Sequence, residues 1–276
     1  MRRKIAAMII LFTAIFIVPI GASTSTIEMD KSGQTIDFTH TVFAEYVTAT
    51  WCPACPVASQ ALYNLYEEGE TQFYFVSIVY DVNPVAKERS KQFFTVAVPT
   101  TYFDGGDKNM VGNVGGNVDM TANAYKSIIE EEGSRVVKPV NISTSAVWLG
   151  DNKIEVTVVV KNNGIKPYFG NVRSYITEIE SRWNDAEGNP YHFALLDFAI
   201  DKPVFISSLS SKTFTVTWDG NNANSGQHFT DLSQDNLMVF STISQWIPHL
   251  RTGYESEKYT QRYLAFFIDS VSADTP

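Results

Sequence analysis

Apolar positions in the first half of the chain switch between two periods. Thr41–Ala49 is a run of β-branched and aromatic residues, the composition of a strand. From Pro53 to about Glu67, Val57, Ala61, Leu62 and Leu65 recur at helical spacing, and Gly69 ends the run. Phe73–Tyr80 is continuously apolar and of strand length, as a buried strand would be. Asp81-Val82-Asn83-Pro84 breaks the pattern, and a short polar helix follows to about Phe94. Thr100–Phe103 and Asn109–Val111 flank the turn Asp104-Gly105-Gly106-Asp107 and read as a hairpin. Ala122–Glu132 closes the half as a helix stopped by Gly133. The acidic run Glu130-Glu131-Glu132 reads as a solvated helix end.

After Val140 the helical period disappears. Strand-like runs occupy 140–148, 153–161, 172–180, 191–200, 212–218, 236–244 and 261–271. Turn residues such as Asn162-Asn163-Gly164 and Asp219-Gly220-Asn221-Asn222 separate them. Short strands without good helices imply a β-sandwich. Arg135–Pro139 is the expected linker. The expected units are therefore residues 24–134, mixed in structure, and 140–276, all β.

The N-terminus changes the picture of where the protein works. Met1-Arg2-Arg3-Lys4 precedes an uncharged apolar run, Ile5–Ile20, and the small residues Gly21, Ala22 and Ser23. Residues 1–23 thus read as an export signal peptide, with an uncleaved membrane anchor as the alternative. The expected location is extracytoplasmic: secreted, periplasmic or on the cell surface. Formal net charge is −9, and three of the 21 basic residues fall in the leader. An acidic chain with no basic cluster argues against a nucleic-acid partner.

Cys52 and Cys55 are the only cysteines in 276 residues. A disulfide stabilises chiefly by removing loop entropy from the unfolded chain, and a four-residue ring removes little. Such a pair suits reversible thiolate exchange better than stapling. A static disulfide and half of a zinc site are the alternatives. Zinc needs further N or S ligands, and His40, His192, His228 and His249 are scattered without ligand spacing. No metal is expected, and His192 reads as structural. Cys52 stands where strand gives way to helix, so unpaired N–H groups and the helix dipole would stabilise its thiolate. Pro53 and Pro56 fall in the first turn, where a missing N–H costs nothing. Cys52 is the expected exposed nucleophile and Cys55 the deeper, resolving thiol.

Trp51-Cys52-Pro53-Ala54-Cys55 resembles the active site of the thioredoxin superfamily. Asp81-Val82-Asn83-Pro84 resembles the stretch after that family's third strand, and Val96-Ala97-Val98-Pro99-Thr100 the segment carrying its cis-proline. The resemblance covers about residues 35–133. It implies an α/β thioredoxin-like fold, a central mixed sheet flanked by helices. It further implies that Pro99 is cis and lies against the disulfide. The Val98 backbone would then pair with a substrate strand, and Trp51 would shape the docking surface. Pro53 and Ala54 would form the active-site loop. Glu45 is the candidate for the family's proton-transferring carboxylate, although it stands one residue early on its strand. A one-residue slip flips a side chain to the other face, so a solvated strand residue is the alternative.

The stretch Val156–Gly164 resembles, over a short length, the strand-turn pattern of immunoglobulin-like sandwiches. Together these resemblances imply a thiol–disulfide oxidoreductase acting on protein thiols and disulfides. It would need no cofactor beyond the Cys52–Cys55 disulfide, and a redox-recycling partner, membrane-bound or soluble. The competing expectation is a non-enzymatic secreted or surface binding protein that uses a thioredoxin-like scaffold and the β-sandwich to dock partners.

Overall fold

The computed structural model describes residues 28–29, 35–224 and 226–276. The expected leader, residues 1–23, lies outside them. Two short strands, β1 (Glu28–Met29) and β2 (Thr35–Ile36), pair with each other. The expected elements of the first half then follow: β3 (Val42–Thr48), α1 (Cys55–Glu68), β4 (Phe73–Val79), α2 (Pro84–Gln92), β5 (Thr100–Phe103), β6 (Lys108–Val111) and α3 (Val118–Gly133). Local chemistry sets their ends. Gly69 closes α1 in the left-handed conformation, at φ 64°. Asn83 caps α2, its Oδ1 accepting from the Val85 N–H at 2.9 Å, and Asn117 caps α3 in the same way through Met120. Among the described residues, no helix is long and apolar enough to cross a membrane.

The second half contains β7 (Val140–Gly150), β8 (Lys153–Asn162), β9 (Tyr168–Asn184), β10 (Pro190–Ile206), β11 (Ser211–Asp219) and β12 (Leu237–Gln245). β13 (His249–Ser256), β14 (Tyr259–Ala265) and β15 (Ile268–Asp274) complete it. The run 261–271, expected as one strand, is two. The chain breaks at Phe266-Phe267 between β14, which pairs with β13, and β15, which pairs with β12.

The halves do not form an α/β thioredoxin-like domain followed by a separate immunoglobulin-like sandwich. Strand makes up 49% of the chain and helix 19%, with three α-helices among the described residues. One eight-stranded sheet, in the order β15-β12-β9-β10-β4-β3-β5-β6, runs through both halves. The joint is β10 lying parallel to β4, with Ala194 opposite Ser77. β9 and β10, expected at roughly nine residues each, extend to 17. Both faces of the sheet carry aromatic packing drawn from both halves. Phe43 packs on Tyr175 with ring centres 5.0 Å apart, and Phe193 meets Phe75 at 5.2 Å. The second core lies where the sheet β11-β8-β7 packs over β9, β10 and β12, burying Val156, Val158, Val172, Ile176 and Val239.

Side chains reinforce the joint. Asn83 donates to the Leu195 and Leu196 carbonyls, and the Ser77 hydroxyl to the His192 carbonyl at 2.7 Å. The β13–β14 hairpin lies against β6, the β5–β6 turn and the end of α2: Gln261 donates to the Phe93 carbonyl and the Tyr263 hydroxyl to that of Gly106. The expected linker is tied down at its start. Arg135 reaches Asp104 at 3.1 Å and the Ile268 carbonyl, so it grips both halves. Glu132, expected to be solvated, is 2% exposed. Burial and the nearby Asp104 and Asp107 push its carboxyl up to about 8.

The turn at Gly105 is the tightest point of this joint. The Phe266 N–H donates to the Gly105 carbonyl at 3.1 Å, and a Cβ at Gly105 would lie 2.0 Å from the Phe266 carbonyl oxygen. Gly116 has a similar positive φ but open space around it. Gly116→Ala should therefore cost about 1 kcal/mol for its backbone conformation alone. Gly105→Ala should cost about 2 kcal/mol more, from the collision. Urea unfolding of the two variants measures the difference, and equal costs would show that the β5–β6 turn yields freely.

Candidate redox site

Cys52 and Cys55 form a disulfide, with their Cα atoms 5.4 Å apart. The helix begins later than the sequence predicts. Ala54 is the N-cap, Cys55 the first helical residue, and Pro56 sits in the first turn. Cys52 and Pro53 therefore lie in the turn before α1. The Cys52 N–H is not free to stabilise a thiolate, because it donates to the Ala49 carbonyl at 3.1 Å. Cys52 is also not the exposed residue expected: it is 2% accessible, against 0% for Cys55. The order of depth holds, but both sulfurs lie within the protein. Ala49, Tyr80 and Val98 pack around them.

Four side chains from separate elements hold this loop by hydrogen bonds. Asp81, after β4, accepts from the Thr50 N–H at 3.1 Å and from the Thr50 hydroxyl at 2.6 Å. Tyr46 on β3 donates to the Cys55 carbonyl at 2.8 Å. Asn113, after β6, donates to the Ala54 carbonyl at 2.8 Å. Tyr191 on β10 donates to the Ala49 carbonyl and accepts from the Thr48 hydroxyl, both at 3.0 Å. Desolvation raises the Tyr191 phenol to about 12, so it stays protonated as a donor across the physiological range. Asp81 carries a local sequence signal, in the turn that breaks the apolar run. Tyr46 shares the strand face of Ala44 and Thr48. Asn113 and Tyr191 have no such signal, because tertiary pairing alone brings them here.

The rim of the site is apolar and partly open. Trp51 is 62% exposed, and Pro53 and Ala54 are exposed beside it. The Val98–Pro99 peptide bond is cis. Val98 is half-buried on the disulfide cluster, and Pro99 is buried, its carbonyl accepting from the Gly112 N–H at 2.7 Å.

Glu45 does not join this cluster. Successive strand side chains point to opposite faces. Tyr46 takes the face toward α1, and Glu45 takes the one toward α2. There Arg89 grips the carboxylate at both oxygens, at 2.7 and 2.5 Å, and the Tyr175 hydroxyl donates at 3.0 Å. Neither the proton-transfer expectation nor the solvated alternative describes it. Glu45 is a fully buried ion-pair partner. All four histidines are engaged elsewhere: His192 stacks on Tyr63 with ring centres 3.4 Å apart, His249 stacks on Phe267, His40 pairs with Asp104, and His228 Nδ1 meets the Asn221 carbonyl.

No family model and no curated protein matches the chain. Among solved structures, HBP35 of Porphyromonas gingivalis is similar with a TM-score of 0.59 at 12% identity, over 87% of this chain and 76% of that one. A protein of Agrobacterium tumefaciens aligns over 85% of this chain and 93% of its own length at 14% identity, with a TM-score of 0.48. At such identities the first likeness concerns fold alone, and the second is too weak to carry an argument. The continuous β-rich sheet, with the fold-level likeness to the first of these structures, corrects the expectation of a thioredoxin-superfamily chain with an immunoglobulin-like appendage.

The Glu45 pair makes a sharp prediction. Burial alone would raise this carboxyl, but the Arg89 charge and hydrogen bonds, with Arg173 and Tyr175, hold it below the usual range. A group depressed on folding stabilises above its unfolded pKa, about 4.3, and that contribution is lost as pH falls through the folded value. Glu45→Gln should destabilise by about 3–5 kcal/mol at neutral pH, because Arg89 is left charged and buried. It should also flatten the loss of stability below about pH 4. Urea midpoints from pH 3 to 7 test both, and an unchanged acid limb would remove the ion pair from the account.

Proposed function

We propose that the Cys52–Cys55 disulfide exchanges with thiols on protein partners, and that it does so outside the cytoplasm. The observation carrying this reading is the bonded pair itself. The only two cysteines close a ring too small to staple much, beside an exposed tryptophan and an apolar rim.

The chemistry follows from depth. Cys52 is the outer sulfur, so a partner thiolate attacks Cys52 Sγ. The S–S bond breaks, Cys55 leaves as a thiolate, and a mixed disulfide joins Cys52 to the partner. A second partner thiolate then attacks the partner sulfur and releases Cys52. The partner loses two electrons and the pair gains them; the reverse sequence reduces a partner disulfide. No cofactor takes part, and a second redox protein resets the pair. The hydrogen bonds to the Ala49, Ala54 and Cys55 carbonyls keep the loop in place while the S–S bond opens and closes.

Titration of the full chain in defined glutathione or dithiothreitol buffers should give one reversible two-electron transition. Cys55→Ser should accumulate a mixed disulfide with a disulfide-bearing protein, its Cys52 thiolate displacing one partner thiolate that nothing then resolves; this is visible without reductant on a gel, and Cys52→Ser should not form it. A pair that resists reduction under native conditions would sink the exchange reading. The near-complete burial of Cys52 favours the second reading in that event. The disulfide would then be static, and the molecule a binding scaffold whose partner survives Cys52→Ser.

A further inference from the structure

Away from the disulfide, a cavity of about 580 Å³ opens on the α2 face of the large sheet. That volume falls within the range of roughly 300–1,000 Å³ typical of small-molecule sites. The alternation of β9 and β12 explains its floor. Val172, Ile176, Val239 and Ile243 turn to the second core, so Arg173, Tyr175, Thr242 and Ser244 turn to the cavity. Its walls are apolar: Phe94, Trp246, Leu264 and Phe266. All four remain exposed, Phe94 at 61% and Trp246 at 55%. Phe94 holds this position with φ 51°, a left-handed conformation that a bulky residue rarely adopts and that clusters at ligand sites.

The charges on the floor are unequal in what they have left to give. Arg89 is spent, bound to both oxygens of Glu45 and to Gln92. Arg173 is not. It reaches Asp201 at 3.1 Å and Gln92 at 3.4 Å, and its Nε has no partner. Asp201 divides its carboxylate between Arg173 and Asn171 and lies at the rim, with a third of its side chain in water. The floor therefore has one guanidinium with donors to spare, set beneath hydroxyls and walled by exposed aromatic and aliphatic groups. One anionic acceptor head on one apolar body satisfies both.

We infer that this cavity binds a single-chain amphipathic carboxylate, its head at Arg173 and its body between Phe94 and Trp246. The inference is independent of the disulfide exchange proposed above. Dodecanoate, used below its micellar concentration, is the probe, and its charge-reversed counterpart is dodecyltrimethylammonium. Calorimetric titration of the full chain should show one saturable dodecanoate site per molecule and at least tenfold weaker binding of the cation. The double variant Phe94→Ala, Trp246→Ala should weaken dodecanoate at least tenfold while leaving the redox titration unchanged. Both residues are solvent-exposed, so the variant should fold. Absence of saturable binding would overturn the site. Equal affinity for the cation would overturn the anionic head. Undiminished binding to the double variant would place the ligand elsewhere, for instance on the apolar run Ile5–Ile20.

Discussion

Both edges of β4 have to be satisfied. The strand is almost wholly buried, and buried backbone N–H and C=O groups left without partners are costly. β3 takes one edge in parallel register, and β10 takes the other. Because β10 belongs to the second half, the sheet cannot stop at the first. It continues through β9, β12 and β15, and the aromatic core follows it across. The single large sheet, the joint at Gly105 and the shared cavity floor all depend on that choice of neighbour.

Much of the first half could be read along the chain because its signals are local. The apolar run of β4, the capping Asn83 and the terminating Gly69 act within a few residues of the elements they define. The partner of β4 could not be read that way. Seventeen-residue β10 passes through Asp201-Lys202-Pro203, which interrupts the apolar pattern and makes the strand look shorter than it is. β13 is mostly exposed and polar, with no apolar face to announce it. Glu45 shows the same limit on the scale of one residue. Its burial makes sense only once Arg89 from α2 and Tyr175 from β9 stand beside it, and neither is near it in sequence.

The cysteine pair was the most legible part of the site, since composition alone singled it out. Its surroundings were not. The motif predicted an exposed thiol at the head of a helix, whereas the chain keeps Cys52 in a turn, with its N–H occupied and its sulfur almost covered. What replaces the expected helix-end electrostatics is a frame of side-chain hydrogen bonds on Thr50 and on the carbonyls of Ala49, Ala54 and Cys55. The tyrosine behind the loop comes from the second half, so the disulfide loop belongs to the whole molecule and not to its first 133 residues.

The continuous sheet has a mechanical consequence. A linker between two bodies lets each swivel, whereas hydrogen-bonded strands transmit orientation. With β10 paired to β4 and Arg135 gripping both sides, the sheet β11-β8-β7 and the disulfide keep a fixed span and angle to each other, as two marks on one ruler would.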